Sequence, residues 1–334
     1  MISAPEDYGL SAEQTLAHRA EVEPPADFES FWADFREAVQ SRPVRWTGRL
    51  DERINEVIIP SLRDVRVVAR VSLPPSAPTG VVVTTHGSAA PEVFPDEPEP
   101  WLEYGLVTVR LRVRGFPPST MDVDDCRADW ILHGIEAADA WILRGATGDL
   151  VQAVRCARAA FGADIPIGIH GESFGGGLAV LAAAQLRALD EPVFRMAVGQ
   201  PTFGDFPWRI GRYCNGMGGQ INALLDVYRD DARDRVLHTL SLFDACLHAR
   251  QIECPVLCKL ARRDDTVPAP SAAAVYHEIA SKRTWRFETA FGHFDGGLAD
   301  ARRHALFERL YPRFLDPRCE PERVIEACGC SLSL

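Results

Sequence analysis

The stretch IPIGIHGESFGGGLA at residues 165–179 leaves its part of the chain little choice of local fold. An apolar, strand-like run enters a Gly-x-Ser-x-Gly turn, Gly171-Glu172-Ser173-Phe174-Gly175, and leaves into small and apolar residues that read as a helix. A strand that turns this sharply into a helix has no room for side chains beside the central serine, hence the glycines. It holds the hydroxyl exposed, next to the N–H groups of a helix start. Ser173 is therefore the candidate nucleophile. In a chain with 25 glycines the motif alone says little; its meaning comes from the strand before it, the helix after it and the partners downstream.

Around this turn the pattern is that of an α/β chain. Phe28, Phe31, Trp32, Phe35 and Val39 recur at helical spacing behind Asp27, which reads as an N-cap. Strand-like runs follow at 53–60, 65–73, 80–85 and 106–113, separated by Pro- and Gly-rich turns. Beyond about residue 135 the pattern alternates: helix 148–161, strand 165–170, helix 175–189, strand 194–199 and strand 255–261. Such alternation predicts a mostly parallel sheet flanked by helices. Residues 202–252 hold no clear strand and read as a helical cap inserted over the carboxyl end of the sheet, where insertions shape substrate access. The expected organisation is one domain over 1–334, with an N-terminal helical arm at 1–45 and a poorly ordered tail at 316–334. The acidic run at 121–125 reads as a solvated loop.

An acyl-transfer site needs a nucleophile, a base, an acid that orients the base, and donors for the oxyanion. His293, in FGHFDGG after the strand-like TWRFETAF, is the candidate base. Strand 255–261 runs into ARRDDTVP, which places Asp264 and Asp265 at its carboxyl end. The spacing to Val267-Pro268 favours Asp264 as the orienting acid and leaves Asp265 as the alternative, a turn or capping residue. The order Ser, Asp, His is that of the α/β-hydrolase fold. Strand 80–85 runs into Thr85-His86-Gly87-Ser88, so the backbone N–H groups of Ser88 and Phe174 are the candidate oxyanion donors, each worth about 3 kcal/mol in the transition state. His86 and His170 read as core hydrogen-bonding groups.

Composition narrows the partners. A formal charge of -11 argues against nucleic acid or an anionic membrane, which require a concentrated basic face. No apolar run is long enough to span a bilayer, and the start MISAPEDYGLSAEQ has neither the basic nor the apolar part of an export signal. Nine scattered cysteines fit a reducing cytoplasm better than a disulfide framework. Cys319, Cys328 and Cys330 lack the further ligands of a metal site.

Over roughly residues 25–315 the chain resembles the acetyl xylan esterase / cephalosporin C deacetylase family. The resemblance is carried by DFESFW, His86-Gly87, Arg114-Gly115, LRGATGDLVQAVR, GESFGGGLA, PTFGDFP, TLSLFDACLHARQIECPVL, DDTVPAPS and Gly292-His293. It implies an α/β-hydrolase fold, a Ser173, Asp264 and His293 triad, no metal or organic cofactor, hydrolysis of acetyl esters on small molecules, and a ring-like homo-oligomer. Three positions depart from the family pattern. Where the family shows Arg-Gly-Gln, Gly-x-Ser-Gln-Gly and His-Glu, this chain carries Phe116, Phe174 and Phe294. If the three rings meet, a polar network has been exchanged for an aromatic cluster, which avoids leaving polar groups unpaired. Phe116 and Phe294 would then line a more apolar substrate pocket.

The expected function is a serine esterase acting on acetyl or other short-chain esters. Two alternatives stand beside it: a biosynthetic hydrolase or acyltransferase acting on an apolar natural product, and a non-catalytic binding protein on the same fold.

Overall fold

The computed structural model describes residues 5–89, 94, 99–120 and 127–328. The acidic run at 121–125, Cys126, Cys330 and the last residues of the tail lie outside them.

Eight strands form one sheet in the order β1-β2-β4-β3-β5-β6-β7-β8. They are β1 (Ile54–Ile59), β2 (Val67–Ser72), β3 (Gly80–Thr84), β4 (Leu106–Arg112), β5 (Ile167–Glu172), β6 (Arg195–Gly199), β7 (Val256–Arg263) and β8 (Thr284–Phe291). β2 is antiparallel to both its neighbours, and β3 to β8 are all parallel. The helices are α1 (Ala12–Ala17), α2 (Phe28–Gln40), α3 (Ile142–Phe161), α4 (Phe174–Ala188), α5 (Phe206–Arg209), α6 (Gly216–Val227), α7 (Asp230–Leu242), α8 (Ala245–Ala249), α9 (Ala269–Glu278), α10 (Gly297–Leu315) and α11 (Pro321–Glu326). The chain from 206 to 249, between β6 and β7, is the helical α5–α8.

Side-chain alternation along the strands builds two cores. Val81, Val83, Ile167, Ile169, Met196 and Val198 join one cluster with α2, α3 and α4, while Val82, Ala197, Leu257 and Phe287 join another with α10 and α11. Because the parallel strands are covered on both faces, they read in sequence as nearly continuous apolar runs.

Helix α3 begins at Ile142, ahead of the expected 148, because Gly145 and Gly148 look like helix breakers in sequence. Both are there for close approach: a Cβ on Gly145 would overlap the Arg114 guanidinium, and one on Gly148 would lie 2.9 Å from Leu62. Arg114, at the end of β4, pairs with the fully buried Asp149 of α3 at 2.7 Å, and its backbone N–H donates to the same carboxylate. The Arg-Gly and LRGATGDL segments therefore meet as one buried ion pair.

One further expectation is corrected. Asp27 stands at the start of α2 but its side chain makes no capping bond; its carboxylate lies 3.1 Å from His238 Nε2 instead. In the tail, α11 buries Val324 and Ile325 against α10. Among the described residues no helix is long and apolar enough to cross a membrane.

The arm is part of the core. Phe28, Trp32, Phe35 and Val39 of α2 are all buried, and Trp32 Nε1 donates to Leu242 O at 2.9 Å. Truncating a buried phenylalanine typically costs about 3–5 kcal/mol. Phe35→Ala is expected to lower the urea midpoint by that much stability with an unchanged slope, as followed by circular dichroism.

Candidate active site

Ser173 sits between β5 and α4 with φ 55° and ψ −116°, a left-handed backbone that a serine holds only when its surroundings impose it. Its N–H donates to Gly199 O at 2.8 Å and its C=O accepts from Gly177 N at 3.0 Å. The glycines around it are required by contact. A Cβ on Gly171 would overlap Gly175 O, one on Gly175 would lie 3.0 Å from His86 O, and one on Gly176 would lie 2.9 Å from Gly199 O. The turn is thus wedged between the loop after β3 and the end of β6.

The loop after β8 brings His293 to Asp264. Asp264 Oδ2 lies 2.7 Å from His293 Nδ1, and Asp264 Oδ1 accepts from Thr266 N at 2.9 Å and Val267 N at 3.2 Å. Asp264 is 1% exposed, and Gly292 passes so closely over it that a Cβ there would overlap the carboxylate. Asp265, the alternative, turns outward: it accepts from Glu6 N at 3.2 Å and Asn215 Nδ2 at 3.0 Å, tying the arm and the cap to this turn. Burial works against charge on His293, and the hydrogen bond and charge of Asp264 outweigh it, so the imidazole is held above its ordinary pKa. The charge of Glu172, one residue before Ser173, also favours the charged imidazole.

Phe174 is the first residue of α4, so its N–H has no partner within the helix. The Gly87–Ser88 peptide is fixed by the His86 ring. His86 Nε2 accepts from Val113 N at 3.3 Å, so Nδ1 carries the proton and donates to Gly87 O at 2.9 Å. A planar trans peptide then points the Ser88 N–H the opposite way. Burial pushes the His86 pKa down to about 4, which keeps this arrangement uncharged at neutral pH.

Two of the three phenylalanines meet. Phe174 and Phe116 are 5.9 Å apart, and both pack on His86, at 5.8 and 4.3 Å, and on Trp130, at 5.1 and 5.7 Å. Both rings are buried, so they form a floor beneath the turn. Phe294 does not join them: it is half-buried and packs on Phe291 at 5.2 Å. Phe294 lies on the loop after the edge strand β8, the loop that also carries His293.

Ser173, Asp264 and His293 follow β5, β7 and β8, at the carboxyl ends of parallel strands where such sheets place their ligands. Among the described residues no group of three or more His, Cys, Asp or Glu side chains could hold a metal ion. If Asp264 is the orienting acid, Asp264→Asn is expected to lower kcat by about 10³–10⁴-fold. Asp265→Asn should stay within a few-fold of the parent in the same esterase assay.

Residues 7–309 match the family model described as Acetyl xylan esterase (AXE1). Among solved structures, the acetyl xylan esterase from Paenibacillus sp. R4 superposes with a TM-score of 0.76 at 21% identity, over 92% of this chain and 99% of that one. Acetyl xylan esterase 1 from Thermoanaerobacterium sp. JW/SL YS485 gives 0.73 at 18%, over 90% and 99%. The acylaminoacyl peptidase of Pyrococcus horikoshii shares the fold more loosely, with a TM-score of 0.56 at 14% identity, over 84% of this chain and 44% of that one.

Proposed function

We propose, for a chain that belongs to the acetyl xylan esterase family and is thereby a carboxylic ester hydrolase, that Ser173, His293 and Asp264 cleave acetyl or other short acyl esters of small molecules through an acyl-enzyme. The observation that carries this reading is the 2.7 Å bond between His293 Nδ1 and the buried Asp264. A fold that had abandoned catalysis would have no reason to keep a carboxylate dehydrated beneath one imidazole.

In this reading Ser173 Oγ attacks the ester carbonyl carbon while His293 Nε2, left free by the bond at Nδ1, takes its proton. The N–H groups of Ser88 and Phe174 receive the developing oxyanion. Collapse expels the alcohol, which leaves with the proton from His293. A water then gives its proton to the same nitrogen and attacks the acyl-serine; the bond from the acyl carbon to Oγ breaks, His293 returns the proton to Ser173 Oγ, and the acid leaves. Asp264 orients the ring and stabilises its charged form.

Phe294, on the loop that carries His293, is the proposed pocket wall, and Phe116 acts from behind His86. With Phe116 and Phe174 committed to the floor, the observations favour a short acyl group over an enlarged apolar pocket. A ring-like homo-oligomer and a cytoplasmic location complete the proposal. The first rests on the family resemblance, the second on the free thiols of all seven described cysteines.

The test is kcat/KM for p-nitrophenyl esters from acetate to octanoate. The expected result is a maximum at acetate and loss of activity in a folded Ser173→Ala variant. A maximum at the long chains would favour an apolar natural product as substrate, and Ser173-independent hydrolysis would overturn the assignment. Since His293 must be uncharged to accept a proton and Asp264 holds its pKa up, kcat/KM should fall with acid at a pH above the ordinary histidine value of about 6.5.

A further inference from the structure

On the α10 face of the sheet a second polar chain runs from the nucleophile turn to the histidine loop. Lys259 of β7 is 4% exposed and donates from Nζ to Glu172 Oε2 at 2.7 Å. The two residues belong to strands separated by β6, and in the pairing register Gly199 stands between them, opposite both. A Cβ on Gly199 would lie 2.8 Å from Glu172 Cδ, so the absent side chain opens the path across β6. The same Nζ lies 3.3 Å from His304 Nδ1. An ammonium only donates, so Nδ1 is the accepting nitrogen and Nε2 carries hydrogen. That N–H donates to Phe291 O at 3.0 Å, while Asp300 accepts from Ala290 N at 2.9 Å and Phe291 N at 3.2 Å. Phe291 ends β8, and His293 follows two residues later.

We propose that Glu172, Lys259 and His304 form a positioning network that ties the His293 loop to the Ser173 turn, so that base and nucleophile are held in register by a chain of hydrogen bonds centred on the buried Lys259. The inference rests on the reading of Ser173 and His293 as nucleophile and base. An ion pair whose task ended at stability would not continue through a histidine to the backbone beside the catalytic loop. Burial alone would raise the Glu172 carboxyl, but Lys259 outweighs it and holds the group below the ordinary carboxylate range. Glu172 is therefore charged near neutral pH.

The charges facing His293 are Asp264, Glu172 and Lys259; those facing Glu172 include Lys259, His170 and His304, with Glu308 and Tyr311 approaching from α10. Glu172 favours the charged imidazole and Lys259 opposes it. Removing Glu172 alone leaves the lysine acting on His293, whereas removing both charges cancels most of the effect.

The experiment compares Glu172→Gln, Lys259→Met and the double variant with the parent enzyme. It reads kcat and KM for p-nitrophenyl acetate and the acidic limb of kcat/KM against pH. Glu172→Gln is expected to lower kcat roughly tenfold to a hundredfold with little change in KM. Its acidic limb should move down by roughly half a unit. In the double variant, which leaves no unpaired buried charge, the limb should return towards the parent while kcat stays low, because the tie to the loop is still missing. If the double variant shows the parent's kcat, or if Glu172→Gln folds and leaves both kcat and the limb unmoved, the network is only a structural ion pair. Failure of the underlying reading looks different: hydrolysis would then survive Ser173→Ala.

Discussion

The structure depends on a steric constraint at one turn. Ser173 keeps its left-handed φ because the atoms around it leave no alternative: Gly171 and Gly175 touch backbone to backbone, Gly175 abuts His86 O, and Gly176 abuts Gly199 O. Strain of this kind costs on the order of 1–3 kcal/mol and persists only where packing over-determines it. Here the packing comes from both sides, through the loop after β3 and through the end of β6. Those two segments carry Ser88, one of the proposed oxyanion donors, and Gly199, which stands between Glu172 and Lys259.

Buried polar groups in the site fall into two kinds. His86 is satisfied on both nitrogens by backbone groups, and burial holds it uncharged; it works as a strut for the Gly87–Ser88 peptide. His170, with the same low pKa of about 4, has Thr84 Oγ1 at 3.2 Å from Nδ1 and packs on Trp101 and Tyr311. Both were read from sequence as core groups. For His170 that holds at Nδ1 alone, since its buried Nε2 has no hydrogen-bond partner among the described residues, whereas His86 shows that a core histidine can also fix a loop peptide.

What the sequence made legible was whatever has a local period or a local reason. The parallel strands announce themselves as apolar runs, and the order of Ser173, Asp264 and His293 follows from the motif and its downstream partners. The pairs of carboxylates and rings were less legible, because their choice is made by distant chain. Asp264 and Asp265 are neighbours of the same type, and only the loop after β8 decides which is dehydrated. The early start of α3 was not legible because the contacts of Gly145 and Gly148, Arg114 and Leu62, lie far back in the sequence. Strand β5 runs on through Gly171 and Glu172, paired with Val198 and Gly199, where a glycine before a turn reads as its end. Phe294 was grouped with Phe116 and Phe174 by motif, but its ring packs on Phe291 instead, a local contact at the end of β8.

The residues on either side of Ser173 serve opposite faces of the sheet. Strand alternation sends Glu172 to the α10 face, where it meets Lys259, and the turn into α4 sends Phe174 to the other, where it meets Phe116, Trp130 and Phe203. The aromatic side is non-directional and dense; it locks the ring of Phe174 and hence the N–H on the same residue, which is what an oxyanion donor needs. The charged side is directional and acts at a distance, which is what a base needs if its pKa is to be set by neighbours it does not touch. A phenylalanine after the nucleophile and a glutamate before it are therefore complementary. Exchanging the two would bury a carboxylate among aromatic rings with no cation to pair with, a cost of several kcal/mol, and would leave Lys259 facing a ring.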